Sequence, residues 1–453
     1  AESYWSFADV VEAGLSSPLV LDDREATDEL ERLLRRAVLL RMEADVPLGA
    51  FLSGGVDSST IVALMQAQSS RPVRTFSIGF KRDDYDEAPY AKAVAKHLGT
   101  DHSELYVDAK QTIDVIPRLP RLYDEPFADS SQIPTFLVSQ LARQHVTVSL
   151  SGDAGDELFG GYNRYFFLQQ LWSRTHAFPP PVRELAAAAI QGVPPSGWDL
   201  AARIVPRRFR MPSFGDKLHK LAGVLRTSDS SRLYLELVSQ WKHPEQVVCG
   251  GVEHPTAALV PPSRPRMSNV TDRMLFTDFV TYLPDDILVK VDRASMGVSL
   301  ESRIPFLDPD LIAFAWRLPL RQKIRGSQGK WILRQLLYRH VPAKLIDRPK
   351  MGFGVPIGEW MRGPLRDWCE TLLDERRLEQ EGWFHPGVIR SYWREHLAGD
   401  REWHYYLWTV LMFQAWLENF TAYGNAAQDD IADLDSEDSA FQSGGNAPSQ
   451  WAR

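Results

Sequence analysis

Val46-Pro47-Leu48-Gly49-Ala50-Phe51-Leu52, then Ser53-Gly54-Gly55-Val56-Asp57-Ser58-Ser59, then Thr60-Ile61-Val62-Ala63-Leu64-Met65-Gln66-Ala67-Gln68 follow one another without a break. The apolar run is short enough for a buried strand and stops at Ser53, after which Ile61, Leu64 and Met65 recur at helical spacing. The stretch reads as strand, tight loop and helix. Gly54 and Gly55 remove Cβ atoms that would hold an anion off the backbone, while the free N–H groups and positive dipole end of the following helix point into the same space. Ser53, Ser58 and Ser59 add hydroxyl donors. Asp57 would repel a bare phosphate but can hold a magnesium ion riding on one. The plainer reading is a Gly-Gly turn with a serine cap. The functional one is a loop for a metal-complexed polyphosphate, though not a Walker loop, because no Gly-Lys-Ser/Thr follows.

Working outward, residues 1–26 read as a lead-in linker, and Leu30, Leu33, Leu34, Ala37, Val38 and Met42 predict an amphipathic helix from Thr27, capped by Thr27 or Asp28. Downstream, Val73 to Phe80 alternates as a strand, Asp86 to Leu98 is helical with Gly99 as its stop, and Glu104 to Val107 is a third strand. Gln111 to Leu122 reads as a broken helix, Ile133 to Arg143 as a helix and His145 to Leu150 as a strand. Such alternation predicts the α/β class, a doubly wound parallel sheet with ligands at the carboxyl ends of its strands. A second strand end carries Ser151-Gly152-Asp153-Ala154-Gly155-Asp156-Glu157-Leu158-Phe159-Gly160-Gly161-Tyr162. Its three carboxylates repel one another unless a cation or a proton transfer uses them; otherwise it is a solvated acidic turn.

Beyond Tyr162 the pattern is largely helical as far as about Gly424. Asp285 to Leu300 reads as a helix bearing Lys290, Asp292 and Arg293, and runs into Glu301-Ser302-Arg303-Ile304-Pro305-Phe306-Leu307-Asp308. Lys330 falls in the first turn of a helix ended by Pro342, where a lysine opposes the helix dipole and is unremarked only if it is a plain surface residue. Arg348 to Pro356 is a further polar, glycine-containing segment. Net charge is −8 over 453 residues, with 51 Lys plus Arg against 59 Asp plus Glu, which argues against a nucleic-acid or anionic-membrane partner. Cys249 and Cys369 stand far apart with no Cys-x-x-Cys, so neither a disulfide framework nor a Cys-rich metal site is expected, and a reducing, cytoplasmic setting fits. No apolar run is long enough to cross a bilayer.

Ser53-Gly54-Gly55-Val56-Asp57-Ser58 resembles the pyrophosphate loop of the N-type ATP pyrophosphatases. Ser151 to Tyr162 is similar, nearly residue for residue, to a signature of asparagine synthetases, and the stretches at Glu301 to Asp308 and around Lys330 resemble further segments of that family in the same order. The likeness is to the synthetase part of glutamine-hydrolysing asparagine synthetases and covers roughly residues 27–424. It implies an α/β ATP-pyrophosphatase core over 27–162, a mainly helical part over 163–424 that completes the cleft, and, from composition, a disordered acidic tail over 425–453. The cofactors it implies are ATP and Mg2+. Leu52 and Ile78 would line the adenine pocket. Ser53, Gly54, Gly55, Asp57 and Ser58 would bind the ATP phosphates, with Ser151 and Gly152 on the adenosine side. Asp57 and Asp156 would share magnesium, Asp153 would assist acyl-adenylate formation, Lys330 would reach the phosphates, and Arg303 would border the substrate side of the cleft.

The activity so implied is adenylation of aspartate to β-aspartyl-AMP with release of pyrophosphate, then amidation by ammonia. A relative that adenylates another carboxylate, as β-lactam synthetases, lasso-peptide cyclases and polysaccharide amidotransferases do, is the enzymatic alternative. A non-catalytic ATP-binding regulator is the other. The resemblance leaves a homodimer open. Family members begin with a glutaminase domain whose nucleophile is an N-terminal cysteine, and this chain opens on Ala1 without either. The expectation is that the glutaminase domain lies upstream in the full gene product and that this chain takes ammonium rather than glutamine.

Overall fold

The computed structural model describes residues 4–80, 86–194, 197–198, 214–227, 230–253, 256, 265–348 and 354–421. The chain divides into two compact units, each assembled from separated stretches. One joins Ala1–Asp108, Pro134–Lys242 and Val252–Gly354; the other joins Ala109–Ile133, His243–Gly251 and Val355–Arg453. The tail over 425–453 and Lys350 lie outside the described residues.

The first unit is built on five parallel strands in the order β3-β2-β1-β4-β5. These are β1 (Leu48–Phe51), β2 (Arg74–Phe80), β3 (Asp101–Val107), β4 (Val148–Leu150) and β5 (Glu301–Arg303). The α/β parallel architecture expected from the alternation is therefore present. β1 is flanked by β2, with Ala50 opposite Thr75, and by β4, with Ala50 opposite Leu150. Connections run outward from β1 to β2 and β3 on one side and to β4 and β5 on the other, so the strand order reverses between β1 and β4. A crevice opens at such a switch point, outside the carboxyl ends of the strands.

Several elements differ from the sequence reading for identifiable reasons. Residues 1–26 are no mere linker, because α1 (Phe7–Ser16) buries Phe7 and Val11 in the core. Phe7 stacks on Phe279 at 4.0 Å and meets Trp316 edge-on at 5.6 Å. The next helix, α2 (Asp23–Met42), starts four residues before Thr27. Its cap is Asp22, which accepts from the backbone of Arg24 and Glu25 while the Glu25 carboxylate accepts from the Asp22 amide. That is a capping box, and Thr27 instead lies buried inside the helix with its hydroxyl on the Asp23 carbonyl. Strand β3 begins at Asp101, three residues before Glu104, because the polar ring of His102 is satisfied by the hydroxyls of Thr75 and Ser77 at 2.9 and 3.2 Å.

Strand β5 has no counterpart in the sequence reading. The helix over 285–300 is a π-helical turn, Leu283–Leu288, followed by Val289–Met296. The chain turns at Ser299, with φ of 59°, and Glu301–Arg303 then pairs parallel with β4. Residues 301–348 thus belong to the same unit as β1, so the boundary expected at Tyr162 does not coincide with the division between units.

The second unit is helical, with Ile357–Arg362, Arg366–Leu372, Glu375–Glu381, Pro386–Ala398 and a helix over 404–421. Its interior holds Cys369, Leu372, Ile389, Trp393, Leu407 and Trp408, all at most 1 % exposed.

Candidate active site

The loops after β1 and β4 meet at the switch point. Helix α3 (Val56–Gln68) follows the first loop, and its N-cap, Gly55, offers no side chain to its opening amides. The serines close the loop on itself: the Ser53 and Ser58 hydroxyls lie 2.9 Å apart, and the Ser53 hydroxyl accepts from the Gly55 amide at 3.2 Å. Gly54 has φ of 71°, and a Cβ there would lie 2.8 Å from the backbone of Tyr90 and Ala91. Its glycine is therefore required by close packing on α4 (Ala88–Leu98), whereas the sequence argument had only an anion in view.

The second loop packs directly on the first. A Cβ on Gly152 would lie 2.6 Å from the Ser58 amide nitrogen, and one on Gly155 would overlap the Asp57 carboxylate. Only glycine at both positions lets the two loops approach this closely. Ser151 donates its hydroxyl to Asp153 at 2.6 Å, and its amide bonds to the Arg303 carbonyl of β5.

Lys330 joins the loops. It is not in a first helical turn but is the residue before the helix Trp331–Leu337, in left-handed backbone with φ of 55°. Its ammonium sits between Asp57, with which it forms an ion pair, and Asp156 at 2.7 Å. The surface reading of Lys330 is thereby overturned. Its side chain is 7 % exposed and each carboxylate 18 %, so water screens the triad little. Burial alone would pull the lysine pKa down, but Asp156 and Asp57 more than reverse this and hold it above its ordinary value, so it stays charged. A Cβ on Gly161 would overlap both Asp156 and Lys330.

Further charged groups complete the electrostatics. Asp153 has its pKa raised by burial and by Asp156, against the Ser151 hydrogen bond and the positive field of Lys290. Lys290, itself buried on Val289–Met296, is a cation of the site that its helical charge pattern did not single out. Glu157 is 1 % exposed, and burial followed by the charge of Asp156 pushes its pKa up to about 8. The Tyr162 hydroxyl donates to it at 2.7 Å. Arg348 lies behind the first loop, donating to the Ser53 carbonyl at 3.3 Å and pairing with Glu87 at 3.2 Å. The acidic spacing of 153, 156 and 157 was a signal for a charged site, but only the fold separates the roles of the three environments.

Leu52 directly follows β1, whereas Ile78 lies inside β2, two residues short of the end at which it was expected, and both are buried. Arg303 does not join the cluster. Its guanidinium bonds to Glu301 at 2.6 Å and to the carbonyls of Arg41 and Glu43 at 3.1 and 2.6 Å, where it ties β5 to the end of α2.

Asp57 and Asp156 fit a magnesium ion. Both carboxylates already close on one cationic atom, and Mg2+ is commonly held by one or two carboxylates with phosphate oxygens and water supplying the rest.

The site thus belongs to an α/β protein whose parallel sheet carries two glycine-rich acidic loops at its switch point, bridged by a buried lysine. The family model for asparagine synthase matches residues 29–418, and the chain belongs to that family. It is 34% identical over 407 residues to a Mycobacterium bovis protein named "Putative asparagine synthetase (glutamine-hydrolyzing)", covering 88% of this chain and 59% of that one. Asparagine synthetase (glutamine-hydrolyzing) 1 of Bacillus subtilis is 28% identical over 400 residues, covering 88% of this chain and 60% of its own length. A Methanocaldococcus jannaschii relative with the same type of name reaches 47% identity over 144 residues, 32% of this chain and 28% of its own. The chain thus spans about three fifths of the first two relatives.

Proposed function

We propose that this chain forms amides by an ATP-dependent, AMP-forming ligation in which the side-chain carboxylate of aspartate is adenylated and ammonia then displaces AMP. The observation that carries this reading is the charged Lys330 buried between the acidic loops of β1 and β4. A cation fixed there before substrate arrives can stabilise charge developing on a phosphate without reorganising at the moment of reaction. Opening α3 without a side-chain cap leaves its amides directed at the same loop. Asp57 and Asp156 would hold Mg2+, which neutralises phosphate charge when bound. Burial raises the carboxyl pKa of Asp153 and pushes that of Glu157 up to about 8, which marks Glu157 as a group able to hold a proton near neutral pH.

In the reaction, an aspartate carboxylate oxygen bonds to the α-phosphorus of ATP and the bond to the bridging oxygen breaks, releasing pyrophosphate. Ammonia then attacks the acyl carbon, AMP leaves with the carboxylate oxygen, and one proton is lost. Aspartate labelled with oxygen-18 in its side-chain carboxylate tests this directly. The label is expected in AMP, with pyrophosphate formed in equal amount. Label in inorganic phosphate, with ADP formed, would overturn the AMP-forming reading, and turnover with another carboxylate while aspartate stays inert would overturn the substrate. Asp57→Asn and Asp156→Asn should each abolish pyrophosphate release at limiting magnesium while circular dichroism stays that of the parent.

A further inference from the structure

In the second unit, His396 lies in the last turn of Pro386–Ala398, Glu402 lies in the turn that leads into the helix over 404–421, and His404 opens that helix. One ligand atom of each falls within 4.8 Å of the others. The Glu402 carboxylate oxygen Oε2 is 3.1 Å from His404 Nδ1 and 3.9 Å from His396 Nδ1. Tetrahedral zinc with nitrogen and oxygen ligands at about 2.0–2.2 Å places neighbouring ligand atoms roughly 3.4 Å apart, so side-chain movements on the order of 1 Å close the set on one ion.

Two features set this apart from a chance surface cluster. His396 is fully buried, and its Nδ1 has no hydrogen-bond partner among the described residues. Its Nε2 lies 3.2 Å from the Gly358 carbonyl, which can only accept, so the proton resides on Nε2 and the Nδ1 lone pair faces the cluster bare. Backbone carbonyls fix metal-binding histidines in this way. Second, the surroundings leave room and orient the carboxylate. A Cβ on Gly358 would stand 3.0 Å from His404 Nδ1 and 3.3 Å from Glu402 Oε2. Arg362 pairs with the other oxygen, Oε1, while its Nε donates to the His396 carbonyl at 2.9 Å. This leaves Oε2 for the histidines.

We propose that His396 Nδ1, Glu402 Oε2 and His404 Nδ1 form a binding site for one divalent transition-metal ion of the zinc type, with water as the fourth ligand. The donor set of two imidazoles and one carboxylate suits zinc rather than magnesium or calcium, which take oxygen ligands. The open position faces solvent, since the Glu402 side chain is 60 % exposed and that of His404 is 21 % exposed, against none for His396. Because the ligands straddle the turn at Gly399, the ion clips the two long C-terminal helices together. It is independent of the ligase reading, as all its groups lie in the second unit.

The experiment is equilibrium dialysis of the metal-stripped full chain against Zn2+ in excess Mg2+, with Co2+ absorption as the probe of coordination. One zinc per chain and a tetrahedral Co2+ spectrum are expected, with a rise in melting temperature. His404→Ala and Glu402→Gln, at partly exposed positions that should not disturb the core, are each expected to weaken zinc binding roughly 100-fold and to remove that thermal shift. No zinc retained by the parent at free zinc comparable to the protein concentration would overturn the proposal. Binding unchanged in both variants, or lost instead on Cys249→Ser, whose thiol lies 3.7 Å from His385, would overturn it equally.

Discussion

Lys330 carries two duties that pull on different observables. Removing it leaves Asp57 and Asp156 facing each other in a poorly hydrated site, and breaking a buried pair in this way costs about 3–5 kcal/mol. An exposed lysine would cost a few tenths. Lys330→Ala is therefore expected to lose both pyrophosphate release and several kcal/mol of stability by urea unfolding. Adding Asp57→Asn should restore part of the stability and none of the activity, because the two changes share one ion pair. Unaltered unfolding of Lys330→Ala would show that the triad contributes nothing to the fold. Glu157 makes a prediction of the opposite kind. Its folded pKa of about 8 exceeds the ordinary 4.5, so the native state keeps a proton that the unfolded chain releases. The stability it contributes is complete below about pH 4.5 and is lost as pH rises through about 8. Glu157→Gln preserves an acceptor for the Tyr162 hydroxyl and removes this titration. Between about pH 5 and 8 the parent should lose stability relative to the variant by on the order of 1 kcal/mol or more. Parallel stability curves would mean that Glu157 is ionised in the native state.

At the scale of elements, what could be read from local sequence was what local forces decide. The Val46 to Gln68 stretch yields strand, loop and helix because its apolar run, its glycines and its helical spacing each act within a few residues, and Gly99 ends α4 in the left-handed conformation its position implied. Asp22 and Glu25 also carried a legible capping signature, which the more apolar pattern from Thr27 onward obscured. Strand β5 was not legible, since Glu301-Ser302-Arg303 is polar, three residues long and held by pairing to a β4 that lies far away in sequence. The position of α1 was hidden for the same reason: Phe7 is buried by Phe276, Phe279 and Trp316, none of them nearby in the chain. Phe7→Ala should therefore lower the stability of the fold by about 3 kcal/mol, read as a lower melting temperature with pyrophosphate release per folded molecule retained. A melting temperature equal to the parent's would return residues 1–26 to the role of a linker.

For the molecule as a whole, the site's charged loops were legible as motifs, but the way Asp57, Asp156 and Lys330 come together was not, because it depends on three stretches of chain converging in one unit. The same long-range assembly bears on the source of nitrogen. Glutamine hydrolysis by a thiol needs a thiolate with a nearby base and access to substrate. Cys369 has neither, as it is fully buried and burial, with the charge of Glu370 adding, drives its thiol pKa well above the ordinary value. Cys249 is exposed and has His385 at 3.7 Å, but neither cysteine is N-terminal, so neither can use its own α-amino group as the base. This 453-residue chain is accordingly expected to form amide from ammonium and ATP and to leave glutamine intact. The measurement is transfer of nitrogen-15 from amide-labelled glutamine, run beside labelled ammonium with the same aspartate and ATP. Glutamine transfer at the ammonium rate would refute the expectation, and its loss in Cys249→Ala would then assign the thiol responsible. Transfer from ammonium alone, unchanged in Cys249→Ala, would leave the two cysteines without a part in the nitrogen chemistry.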